Sequence, residues 1–177
     1  LYAGLYKKVC DLDGAIVDCG VGKGKSLKDL AELAAPDGRK LFAFESWQAF
    51  PPLSGPDLPG TATGLTVDLV VADRASVIGR LGLLLEAVTF IDGFIEETLP
   101  DFREPVALAN LDLDLYSPYR TALAHLWPLL QVGGIMVFDE YHEEVKYPGA
   151  KKAVDEFLSD KDAALTEGGR WWAQKLS

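Results

Sequence analysis

Apolar runs of strand length, most of them closing on a carboxylate, recur along this chain with helical patterns between them. GAIVDCG carries Asp18, LFAFES carries Glu45, AVTFIDG carries Asp92, VALANLDLDLY carries Asp112 and Asp114, and GGIMVFDEY carries Asp139 and Glu140. Between the first two runs, SLKDLAELAA keeps Leu27, Leu30, Ala31 and Ala34 at helical spacing. Strand and helix in strict alternation predict an α/β fold of the Rossmann-like kind, a mostly parallel central sheet flanked by helices. Ligands of such sheets bind at the carboxyl ends of the strands, near the point where strand order reverses. That edge is where the carboxylates gather.

The remaining segments fit the same plan. FPPLSGPDLPGTATG is too rich in Pro and Gly for regular structure, and LTVDLVVADRASVIGRLG reads as a helix. YRTALAHLWPLL and GAKKAVDEFLSD read as two more helices, and RWWAQKL as a last strand at the sheet edge, with Trp171 and Trp172 covering it. At 177 residues, 49% of them apolar, residues 1–177 are expected to form one domain. The first residue is Leu1 and the one Met is Met136, so an amino-terminal lid segment ahead of this sequence is part of the expectation.

A net charge of −10 without clustered Lys or Arg excludes nucleic acid and anionic membrane as partners and favours a small molecule. No apolar run reaches the roughly 18 residues of a membrane span, and no signal peptide opens the sequence. Two cysteines, Cys10 and Cys19, offer neither zinc spacing nor a disulfide framework, which suits a reducing cytoplasm. Homo-oligomerisation is left open.

DCGVGKGKS after the first strand fits two ligands. As a P-loop, G-x-x-x-x-G-K-[ST], it supplies Gly24, Lys25 and Ser26 but has Cys19 in place of the first glycine, and IMVFDE has the form of the Mg²⁺-binding strand that would accompany it. As acidic-x-G-x-G-x-G it has Asp18, Gly20, Gly22 and Gly24 in register, the spacing of many S-adenosylmethionine (SAM) methyltransferases. Glu45, about 20 residues further on, stands where a carboxylate accepts from ribose hydroxyls in nucleotide-type folds. The cofactor set on this reading is Asp18, Gly20, Val21, Gly22, Gly24, Ser26, Glu45, Ser46, Asp92, Gly93 and Asp112.

Asp112 and Asp114, two apart, are expected on one face of a strand, with Asp139 and Glu140 ending its neighbour. Carboxylates gathered so closely repel unless a hard cation joins them, with Mg²⁺ the default. His142, three residues after Asp139, could act as a base, whereas His125 lies within a helical pattern and reads as structural.

DCGVGKGKS, FAFESWQAFPP, VTFIDGFIEETLP and the run from NLDLDLY to AVDEF, taken in order over residues 14 to 157, resemble the macrocin O-methyltransferase (TylF/MycF-like) family. The resemblance implies a class I, SAM- and Mg²⁺-dependent O-methyltransferase acting on a hydroxyl of a sugar or other vicinal diol in natural-product or nucleotide-sugar biosynthesis. It implies Asp112, Asp139 and Glu140 as metal ligands. Proton removal is expected of Asp112, Asp114 or His142. Beside the P-loop NTPase, a catalytically silent SAM- or nucleotide-binding domain stands as the alternative, which predicts ligand binding without turnover of any diol. The chain departs from the family pattern in having Asp-Glu where Asp-Asp is commoner, Lys23 and Lys25 in the glycine loop, and Glu45 in place of an aspartate.

Overall fold

The computed structural model describes residues 1–51, 53, 55–58, 73–142 and 146–177. In chain order these form α1 (Tyr2–Val9), β1 (Ala15–Cys19), α2 (Lys25–Ala34), β2 (Leu41–Glu45), α3 (Arg74–Leu81), β3 (Val88–Asp92) and the short α4 (Ile95–Thr98). There follow β4 (Val106–Leu111), α5 (Tyr116–Leu129), β5 (Leu130–Phe138), α6 (Pro148–Leu158), β6 (Ala163–Glu167) and β7 (Trp171–Lys175). The strands make one sheet in the order β3-β2-β1-β4-β5-β7-β6. The first five are parallel; β7 runs antiparallel to both β5 and β6.

Strand alternation sends successive side chains to opposite faces, and here both faces are covered. Ile16, Leu108, Ile135 and Val137 pack under α1, α2 and α3, together with Leu5, Leu27, Leu30 and Val77. Val17, Ala109, Met136 and Phe138 pack against α5 and α6 through Tyr119, Leu123 and Val154. Cys19 is fully buried on that second face, a small hydrophobe as its context suggests.

Several expectations need correction. RWWAQKL is not an edge strand: β7 lies between β5 and β6, and the edges are β3 and β6. The fourth strand stops at Leu111, and Asp114 takes φ 60, so Asp112 and Asp114 do not share a strand face. The fifth strand begins at Leu130 and runs through the two glycines instead of starting after them. The helix expected over LTVDLVVADRASVIGRLG is described for Arg74–Leu81, started by Asp73, whose carboxylate accepts from the backbone N–H groups of Ala75 and Ser76; residues 59–72 lie outside the described set. The loop expected over FPPLSGPDLPGTATG falls partly there too, and its described part includes a 3₁₀ turn at Gly55–Asp57. Among the described residues no helix is long and apolar enough to cross a membrane.

Candidate active site

Strand order reverses between β1 and β4, and the ladder carries this junction one residue past the strands. Asp112 N donates to Cys19 O at 2.9 Å, Asp139 N to Leu111 O at 3.0 Å, Gly20 N to Phe44 O at 3.0 Å and Gly93 N to Glu45 O at 3.0 Å. Gly20, Gly93, Asp112 and Asp139 are thereby held along one rim. All but Asp139 line a cavity of about 310 Å³ that also reaches Gly22, Glu45, Ser46 and Asp114. Phe44, Phe50, Phe94 and Leu113 give it apolar walls.

The three loop glycines serve different ends. At Gly20 (φ 84) an added Cβ would fall 1.7 Å from the carbonyl oxygen of Asp112, so the turn is needed to let β4 pass. At Gly24 (φ 75) it would meet Val77 of α3 at 2.9 Å. At Gly22 (φ 52) it would meet nothing within 4 Å, and this glycine lines the cavity, leaving its backbone open to a ligand. Glu45 locks the loop: its carboxylate accepts from Gly22 N at 2.9 Å, Ser46 N at 2.8 Å and Trp47 N at 3.2 Å. Val21 is buried in the core below.

Asp18 stands beneath this loop, fully buried. It accepts from Asn110 Nδ2 at 2.7 Å and Ser26 Oγ at 3.3 Å, and burial pushes its carboxyl up to about 7 despite them. Asp92 faces outward, accepting from Trp47 Nε1 at 2.7 Å and Arg74 Nε at 3.2 Å, and it is Gly93 beside it that reaches the cavity.

The second half of the site is a group of carboxylates. Ligand oxygens of Asp112, Asp114 and Glu140 lie within 4.8 Å of one another. Burial first, then the neighbouring carboxylates, raise Asp112 to about 6 and Asp114 to about 7, and push Glu140 well above its ordinary range. One oxygen of Glu140 accepts from Tyr119 OH; the other, Oε1, is buried without a hydrogen-bond partner. A buried carboxylate with an orphan oxygen, close to two further carboxylates, is a donor set a hard cation fits. Asp139, expected among the metal ligands, is ion-paired with Arg170, and the carboxylates that converge are those of Asp112, Asp114 and Glu140. His142 is exposed on the 3₁₀ turn Glu140–His142, and His125 is exposed on α5. Neither lines the cavity.

Sequence reasoning missed Tyr2, Asn110, Tyr119 and Arg170. Tyr2 OH donates to Asn110 Oδ1 at 2.8 Å, and Arg170 Nη1 donates to Tyr2 OH at 2.8 Å. The apolar spacing of Tyr2, Leu5, Tyr6 and Val9 held the signal for α1, and Gly-Gly between AALTE and RWWAQK held the signal for the hairpin that carries Arg170.

The sheet order, the glycine turn at its switch point and the carboxylate closing β2 together define a class I methyltransferase. The macrocin O-methyltransferase (TylF) family matches residues 7–167, and the chain belongs to it. It is an O-methyltransferase, of a family whose methyl donor is SAM. The mycinamicin III 3''-O-methyltransferase of Micromonospora griseorubida is 25% identical over 178 residues, covering 90% of this chain and 68% of that protein. The demethyldecarbamoylnovobiocin O-methyltransferase of Streptomyces niveus is 32% identical over 96 residues, 51% of this chain and 36% of that protein. Among solved structures, the calicheamicin methyltransferase CalS11 superposes with a TM-score of 0.79 at 26% identity, covering 97% of this chain and 76% of its own. The P-loop alternative falls with these matches. Its Lys25 is exposed at the start of α2, and its Asp139 is engaged by Arg170.

Proposed function

We propose that the enzyme transfers a methyl group from SAM to a hydroxyl of a sugar, or of another vicinal diol, in the making of a natural product, with Mg²⁺ held among its carboxylates. One observation carries this reading: a single cavity is lined by the ligand-facing loop residues Gly22 and Glu45 and by the carboxylates Asp112 and Asp114, behind which Glu140 keeps an unpartnered buried oxygen. A cofactor lying over Gly22 would bring its ribose to Glu45, whose carboxylate already accepts several N–H groups and has lone-pair capacity remaining. The apolar walls at Phe44 and Phe94 suit the rest of the cofactor and keep water from the transferring methyl.

Asp112, Asp114 and Glu140 would hold the cation, with Asp139 beside them. When bound, Mg²⁺ supplies Lewis acidity that lowers the pKa of a coordinated hydroxyl. The chain's own part is to fix the acceptor for in-line attack and to take one proton. Asp112 and Asp114 suit the second task, since both line the cavity and both are raised toward neutral pH. His142, exposed and away from the cavity lining, is the weaker candidate.

The test is transfer to a diol-bearing sugar with SAM, assayed with EDTA and after Mg²⁺ is restored. Activity that survives EDTA removes the metal from the reading. Binding of ATP in place of S-adenosylhomocysteine removes the reading altogether.

A further inference from the structure

Asp139 and Glu140 are adjacent in sequence but differently engaged. Glu140 keeps one buried oxygen without a hydrogen-bond partner, and its carboxylate offers an oxygen within 4.8 Å of those of Asp112 and Asp114. Asp139 is held by Arg170, which arrives from the turn between β6 and β7 and keeps only 27% of its side chain exposed. Arg170 is fixed from behind as well. It donates to Tyr2 OH, Tyr2 donates to Asn110, and Asn110 donates to Asp18 on the far side of the sheet junction. A guanidinium held by this chain cannot simply follow Asp139 if the carboxylate turns away. Its charge also acts on Asp112 and Asp18, lowering both against the push of burial.

Resting on the metal reading above, we propose that Arg170 is an internal competitor of the divalent cation, holding Asp139 out of the ligand group and setting a positive charge beside it. The enzyme's metal affinity is then fixed by the hairpin as much as by the ligands. A bound cation has to share Asp139 with the guanidinium or do without it, and it feels the repulsion of a nearby charge that the surrounding protein screens poorly. The guanidinium opposes part of the negative charge of the carboxylate group, which would otherwise be costly to bury.

The experiment is a calorimetric titration with Mn²⁺, a hard cation suited to oxygen ligands, at pH 8, on wild type, Arg170→Met, Arg170→Lys and Asp139→Asn/Arg170→Met. Arg170→Met is expected to bind Mn²⁺ about tenfold more tightly, because a repelling charge is gone and Asp139 is released. Arg170→Lys, which keeps the charge, should stay near wild type, and the double variant should lose most of the gain. Arg170→Gln replaces Arg170→Met if circular dichroism shows the latter unfolded. Equal or weaker Mn²⁺ binding by the folded neutral variant overturns the proposal while leaving the metal site standing. Absence of Mn²⁺ binding in wild type and variant alike overturns the metal reading and the proposal together. Binding by the variant alone supports both.

Discussion

The two halves of the site are built to opposite electrostatic standards. Around the glycine loop every carboxylate has several donors: Glu45 has three backbone N–H groups, Asp92 has Trp47 and Arg74, and Asp18 has Asn110 and Ser26. Around the ends of β4 and β5 the acids chiefly face one another, and Glu140 has an oxygen with no donor. A half whose polar groups are satisfied is already shaped for its ligand, and binding there is recognition by a preformed surface. A half whose acids repel is incomplete, and what completes it must bring positive charge. Placed on one rim, the two halves would, on the proposed function, divide donor binding from acceptor activation.

The sharpest way to break this division is through the residue that joins the halves. Gly20→Ala would drive a Cβ into the carbonyl of Asp112, at 1.7 Å, in a left-handed backbone. It should lower unfolding free energy by about 4 kcal/mol, read by urea denaturation, and damage both halves at once. Gly22→Ala, facing open space, should cost only about 1 kcal/mol of stability and yet weaken S-adenosylhomocysteine binding. Equal stability losses in the two variants would refute the separate roles assigned to these glycines.

Glu140→Gln should lower methyl transfer about hundredfold and leave S-adenosylhomocysteine affinity within about twofold, since it alters only the incomplete half. The same change removes a buried carboxylate that lacks a full set of donors, so the melting temperature should hold or rise. A variant that loses cofactor binding along with activity would show that the halves are not separable.

Stability against pH sharpens the contrast further. Burial raises Asp18 to about 7 in the donor-rich half as well, so the contrast lies in what a cation can relieve. Asp112 and Asp114, at about 6 and about 7, are raised above their unfolded values by burial and by neighbouring carboxylates. Between the unfolded and folded values the native state therefore binds more protons than the unfolded chain. The stabilisation from these groups is present at pH 4 and is lost as pH rises to 7. The metal-free protein should be less stable at pH 8 than at pH 5.5 by about 2 kcal/mol, and saturating Mg²⁺ should shrink the gap. A flat profile in guanidinium denaturation, with and without Mg²⁺, would argue against the repelling cluster.

The smallest effect belongs to the satisfied half. Glu45→Gln keeps one acceptor and loses the charge, so cofactor affinity should weaken by about 1–2 kcal/mol in calorimetry, with activity recovered at high SAM. Unchanged affinity would leave Glu45 as a brace for the loop and nothing more.

The parallel core was legible because buried strands announce themselves as apolar runs and the glycine loop has few other uses. β1, β2 and β3 fall where GAIVDCG, LFAFES and AVTFIDG put them. What sequence could not supply was sheet order beyond the parallel strands. β6, Ala163–Glu167, begins with two alanines and has one large apolar residue, Leu165, and without it β7 looks like an edge. The left-handed turn at Asp114 was hidden for a related reason, since alternation in NLDLDLY reads as more strand, and only the described backbone ends β4 at Leu111. Arg170 is invisible in the sequence because its partner Asp139 is distant along the chain and the turn that carries it precedes a strand whose pattern reads as an edge. The catalytic roles proposed for the acids rest on geometry that an alternating pattern does not encode.

The order in which β7 and β6 enter the sheet has a consequence for synthesis on the ribosome. β7 is made after β6 and yet pairs directly with β5 through Ile135, Met136, Val137 and Phe138. Until those residues emerge, a nascent chain folded through β5 presents a bare apolar strand, open to edge-to-edge pairing with its neighbours on the polysome. Nor does Asp139 meet Arg170 before then, so the candidate site and the covering of β5 are completed in the same step.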